Sequence, residues 1–249
     1  TRMLHNDMSI STLIPAEPWL FGYYAGMGYV PVFKYSSTTF TASEVTIADE
    51  TAVLNKINDY QKESYRYLNR KLRERPYCIQ HTETDFRVIL ADLQLGKGCV
   101  YTLKQGDKIT ALAIVYPAGS TWQAGEIVAE TSGMYLLLLQ RICEQLNLPS
   151  IRVIVPSETE PTPQVLGMAR IINAKTILQR YAAEHPELKM SIALTDPQIS
   201  ANNGYYYLNN GKCISSAKRL PGSHLALTVG ELTEKILSPS NPYMSLMLN

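Results

Sequence analysis

Residues 10–33, ISTLIPAEPWLFGYYAGMGYVPVF, constrain the fold more than any other part of this 249-residue chain. Residues 10–14 form a short apolar run closed by Pro15, the pattern of a buried strand ending in a turn. Glu17 and Pro18 suit a first helical turn, and Trp19, Leu20, Tyr23 and Tyr24 recur at helical spacing. Gly26 and Gly28 end that helix, and residues 29–33 restart an extended segment. The unit reads as strand, short helix, glycine stop, strand.

The chain continues with a Ser/Thr-rich extended crossing at 34–45. Asp49 is the expected N-cap of a helix over 50–73 with Val53, Leu54, Ile57, Tyr60, Tyr67 and Leu68 on one face. A second helix, capped by Thr82 or Thr84, ends at Gly96. Residues 98–103 and 108–116 flank Gln105-Gly106-Asp107 as a hairpin, and 122–129 adds a strand. Ser132 is read as the cap of an apolar helix over 134–146, and 151–155 as a buried strand stopped by Pro156. Residues 151–158 repeat the pattern of residues 10–17, each copy following a helix.

Residues 159–164 read as a linker, followed by a helix over 168–183. Residues 190–194 alternate, 205–208 and 212–216 flank Asn209-Asn210-Gly211 as a hairpin, and Leu225 and Leu227 mark a last strand. Thr228 and Glu231 form a capping box before a closing helix. The class is α+β with mixed sheets.

A net charge of +1 with 18% charged residues gives no sign of a polyanionic partner, so no nucleic acid is expected. Cys78, Cys99, Cys143 and Cys213 are too scattered for a disulfide framework, and the four histidines show no metal-ligand spacing. The longest apolar run, 135–139, is far short of a membrane span. With no signal peptide read at the start, the expected compartment is the cytoplasm.

The Tyr24-x-x-x-Gly28-Tyr29 string resembles the end of the GCN5-related N-acetyltransferase (GNAT) fold. The whole order of elements resembles the three-domain Eis-like (enhanced intracellular survival) acetyltransferases. The resemblance implies a tyrosine on the last helix facing the thiol of acetyl-CoA, here Tyr24 as general acid. A phenol of pKa about 10 can protonate a leaving thiolate. The other reading makes Tyr23 and Tyr24 core aromatics with tethered hydroxyls. Trp19 and Phe21 either line an acceptor pocket or, the stronger expectation, pack the core.

By the same resemblance, residues 1–42 are the end of a catalytic GNAT domain whose phosphate-holding loop precedes Thr1. Residues 43–160 are a second GNAT-like unit in tandem. Residues 165–249 resemble the sterol-carrier-like domain that closes such proteins. Active GNAT domains resemble one another in an Arg/Gln then Gly-x-Gly/Ala loop whose N–H groups hold the CoA pyrophosphate. The second unit has AETSGM at that place, with one glycine, no arginine and Glu130, so it is expected to be non-catalytic.

The implied activity is acetyl transfer from acetyl-CoA to a small-molecule or peptide amine, without a metal. The rivals are a non-catalytic apolar-ligand-binding protein built on the sterol-carrier-like domain and an interaction module, with a homo-oligomer as a further expectation. Met244, Leu246, Met247 and Leu248 make the C-terminal tail unusually apolar, so it should be docked. Eis-like proteins place their C-terminal carboxylate in the first domain's active site, which implies the α-carboxylate of Asn249 as general base. The alternative is that the tail only closes the third domain's core.

Overall fold

The computed structural model describes residues 2–44, 47, 49–157 and 163–245. Helix α1 (Arg2–His5), strand β1 (Ile10–Leu13), helix α2 (Pro18–Ala25) and the long strand β2 (Val30–Thr41) open the chain. Strand β3 (Ala52–Ile57) and helices α3 (Lys62–Arg73) and α4 (Glu83–Leu95) follow. The meander β4 (Cys99–Gln105), β5 (Lys108–Ala118) and β6 (Thr121–Ala129) leads to α5 (Ser132–Leu146) and β7 (Ser150–Pro156). The remainder is β8 (Gln164–Ile171), α6 (Ala174–Glu184), β9 (Met190–Thr195), β10 (Gly204–Asn209), β11 (Lys212–Ser216), β12 (Leu225–Thr228) and α7 (Val229–Leu237).

The chain divides into two compact units, the first Thr1–Lys34 with Val165–Pro242 and the second Tyr35–Gln164 with Tyr243–Asn249. In the second unit the sheet order is β2, β7, β6, β5, β4, β3. Only β6 and β7 pair in parallel; the other neighbours are antiparallel. Helices cover both faces. Leu137, Leu138, Leu139 and Ile142 of α5 meet Tyr101, Leu103 and Val115 on one side. Leu68, Leu72, Phe86 and Leu90 of α3 and α4 meet Val100, Leu112 and Ile114 on the other. Buried on both faces, β5 reads as an almost unbroken apolar run.

In the first unit β1 pairs antiparallel with β8, Ile10 opposite Ile171 and Leu13 opposite Met168. A four-stranded mixed sheet runs β11, β10, β9, β12, with β12 parallel to β9. Helix α6 packs on β10 and β11, and α7 on β9 and β12.

Four local readings need correction. The helix expected over 50–73 is strand β3 followed by α3, because Ala52–Ile57 pairs along β4 from Gln105 to Val100. Val, Leu and Ile at 53, 54 and 57 satisfy a helical face and a half-exposed edge strand equally, and the sheet edge decides. Asp49 therefore caps no helix; its carboxylate accepts from the Thr51 amide (2.9 Å) and hydroxyl (2.6 Å) and from Gln105 (2.8 Å). The helix expected over 168–183 begins only after Asn173, whose side chain caps the Thr176 amide (3.1 Å), since 164–171 pairs as a strand. Thr131, not Ser132, caps α5, accepting from the Met134 amide (3.2 Å). Strand β1 is partly exposed rather than buried, and Ile14 faces solvent.

Other local signals hold. Thr82 with Asp85 and Thr228 with Glu231 form capping boxes, and Gly96 stops α4. Gly106 turns the β4–β5 hairpin at φ +57°, and Asn210 and Gly211 turn β10 into β11 at φ +48° and +73°.

Candidate functional site

Tyr24 stands in the last turn of α2, a helix begun by Pro18 at its first position. The Tyr24 ring is half-buried, edge-on to Tyr23 at 5.3 Å and to Tyr29 at 5.8 Å between centroids. Among the described residues its hydroxyl makes no hydrogen bond. Tyr29 differs, because its hydroxyl is tied to the Ser11 hydroxyl of β1 at 2.7 Å. Tyr29 thus has a tethered hydroxyl, and Tyr24, among the described residues, does not. The core role expected for Trp19 also fails: it is 68% exposed, and no residue of α2 is buried.

The glycine stop has a steric cause. Gly28 lies at φ +84°, and a Cβ there would come within 2.7 Å of Val229 Cγ1 and 3.2 Å of Arg170 Nε. Both neighbours are buried, so neither can swing clear. We expect Gly28→Ala to cost about 2 kcal/mol in chemical denaturation, from the left-handed backbone and the collision together. A loss below 0.5 kcal/mol, on the order of a surface change, would show that the turn relaxes.

Behind Gly28 sits a buried polar network centred on Asp196. Asp196 Oδ1 accepts from Arg170 Nη2 (2.6 Å) and from the amides of Gln198 (2.9 Å) and Ile199 (3.0 Å). Its Oδ2 accepts from Asn202 Nδ2 (2.8 Å), whose own oxygen caps the Ala174 amide (3.0 Å). Arg170 thereby holds one side of the Gly28 turn.

In the second unit, an open pocket of about 620 Å³ lies where β6 runs into α5. Its charged walls pair off: Lys71 with Glu74 (2.5 Å), Arg75 with Glu126 (2.8 Å) and Arg70 with Glu130. The Met134 amide, which a phosphate would need, is taken by Thr131. These residues are a poor match for a pyrophosphate, since the cations are already paired with carboxylates and Thr131 occupies one of the amides at the helix end.

Sequence reading missed the most buried charge there, Glu126, which is 1% exposed. The available signal was a carboxylate in an otherwise apolar strand, just after Gly125. Register slips at that glycine, with Ile114 opposite Glu126 but Val115 opposite Ala124, a bulge that re-aims the carboxylate. Nearby, burial first and then Glu126 push the Cys78 thiol up to about 11. At pH 8 its thiolate, and hence its alkylation rate, should be about 100-fold below that of an ordinary thiol. Alkylation mapped by mass spectrometry checks this, and modification at the rate of the unfolded chain would contradict it.

Of the two expected catalytic groups Tyr24 is described, and Asn249 lies outside the described residues, as do Leu246, Met247 and Leu248. Met244 is docked as expected, at 9% exposure. Among the described residues no group of three or more metal-ligating side chains is assembled, and no helix is long and apolar enough to cross a membrane.

No family model matches the sequence, and no curated protein matches it. Solved structures do. A GCN5-related N-acetyltransferase from Kribbella flavida superimposes with a TM-score of 0.67 at 14% identity, covering 98% of this chain and 71% of that one. One from Anabaena variabilis gives 0.69 at 14%, covering 98% and 74%. The fold is GNAT-like. Eis1 from Mycobacterium abscessus gives 0.64 at 11% identity, covering 95% of this chain and 64% of Eis1. At such identities the likeness speaks of fold alone, and this chain spans roughly two thirds to three quarters of those proteins' length.

Proposed function

We propose that the chain forms part of an acetyl-CoA-dependent N-acetyltransferase of the Eis-like kind, with Tyr24 as general acid. The observation that carries this reading is the Tyr24 hydroxyl, held on a short helix by the Gly28 stop and left without a hydrogen-bond partner among the described residues. The GNAT-like fold supports it. A neutral amine, from a small molecule or a peptide, attacks the acetyl carbonyl; the C–N bond forms as the C–S bond breaks. Tyr24 donates its proton to the departing sulfur, and a base takes the proton lost by the nitrogen. For that base the reading offers the α-carboxylate of Asn249, whose reference pKa of about 3.3–3.7 requires desolvation to raise it.

The tandem arrangement, with residues 43–160 as a second unit and 165–249 as a sterol-carrier-like domain, belongs to the same proposal. A pocket of the first unit bounded by Lys175, Asn203, Tyr205 and Ser216 measures about 180 Å³ and lends no support to the apolar-ligand alternative. Sites for drug-sized ligands run to about 300 Å³ and above.

Because the described residues of the second unit offer no pyrophosphate cradle, the 249-residue chain is expected to bind acetyl-CoA poorly. Calorimetry tests this directly. Micromolar binding would place a working phosphate site inside these residues and overturn the assignment of the second unit.

A further inference from the structure

After α7, the chain returns to the second unit at Tyr243, and the way it is received is unusual for a terminal segment. The Tyr243 amide donates to the Tyr77 carbonyl (3.1 Å), and the Ile79 amide donates to the Tyr243 carbonyl (2.9 Å), a one-residue parallel bridge opposite Cys78. Arg75 lies over the Tyr243 ring, its guanidinium carbon 4.8 Å from the centroid. Tyr243, Met244 and Ser245 are all buried. This is a single β-bridge to the loop after α3, flanked by buried side chains at Tyr243 and Ser245.

The seat itself is polar and incomplete without the tail. Glu126 Oε1 is saturated inside the unit by Arg75 Nη1 (2.8 Å) and the Ile127 amide (3.0 Å). Arg75 is fixed in turn by a second bond to the Ile127 carbonyl (3.1 Å). Glu126 Oε2 has a single donor among the described residues, the hydroxyl of Ser245. A buried carboxylate oxygen left without a donor is costly, so the seat favours a hydroxyl-bearing segment over none. It also lies on β6 beyond Gln123 and Ala124, where that strand is paired with β7.

We propose that the second unit acts as a receptor for the chain's own C-terminal segment, with Glu126 and Arg75 as positioning residues that seat Tyr243 and Ser245. The docking fixes the point from which the residues after Ser245 depart, and it stands whether or not Tyr24 takes part in acetyl transfer.

Hydrogen exchange of the full 249-residue chain, followed by mass spectrometry, tests this. Ser245→Ala is expected to speed exchange about 10-fold in the peptides carrying the Tyr243 and Ile79 amides, as for loss of a hydrogen bond to a charged group. Amides of β5 should keep their protection. Ser245→Thr, which retains the hydroxyl, should restore slow exchange. Glu126→Gln should open the same two peptides, but the conclusion does not depend on it, since the serine variants leave the receptor intact. Unchanged exchange in Ser245→Ala would remove the seat. Opening of β5 together with the tail would make the segment part of the unit's core and equally end the proposal.

Discussion

On the proposed role of Tyr24, replacing it by Phe is expected to lower kcat for acetyl transfer by about 10²- to 10⁴-fold, the usual range for a general acid. The KM for acetyl-CoA and the melting temperature should barely move. The structure makes the stability half of this expectation firm. The lost hydroxyl has no hydrogen-bond partner among the described residues, and the ring keeps its edge-on contacts to Tyr23 and Tyr29. Tyr29→Phe is the internal control, because it breaks the Ser11 hydroxyl contact and should cost stability rather than turnover. Normal turnover in Tyr24→Phe would remove the tyrosine from the mechanism and leave the acid unidentified.

Much of this was legible because the informative signals were local. Glycines at forced turns, a threonine cap at 82, a Thr-x-x-Glu box and an Asn-Gly hairpin each act through neighbouring backbone, so a window of a few residues contains the cause. The failures at 50–57 and 164–171 share the opposite property. Each is a short apolar run compatible with both periods, resolved only by a partner strand distant in sequence, β4 in one case and β1 in the other.

The site divides the same way. Tyr24 was found because Gly28 sits four residues on, and Gly28 matters because of what lies behind it. Arg170 and Val229, which enforce the stop, are more than 140 residues away and left no mark near it. The Glu126 seat was invisible for that reason too. Arg75 stands just before Pro76 with no carboxylate beside it on its C-terminal side, and Ser245 is one polar residue in an apolar tail. Buried polar pairs are joined by topology, and topology is what one sequence says least about.

Asp196→Ala should be among the most damaging single changes in the first unit, costing about 3–5 kcal/mol in equilibrium denaturation. The Asp196 side chain is fully buried, and it accepts four hydrogen bonds, from Arg170, Gln198, Ile199 and Asn202. Removing it leaves the buried Arg170 guanidinium without its ion-pair partner among the described residues, and Arg170 Nε has none to begin with there. Two turn amides lose their acceptor at the same time. Arg170→Met should cost less, since the Asp196 carboxylate would keep three donors while the methionine refills the apolar space against Gly28. The order of the two losses is therefore the test. If Arg170→Met proves the worse variant, the network is organised around the guanidinium rather than the carboxylate. Its purpose would then be to hold the Gly28 turn, and with it the end of the helix that presents Tyr24.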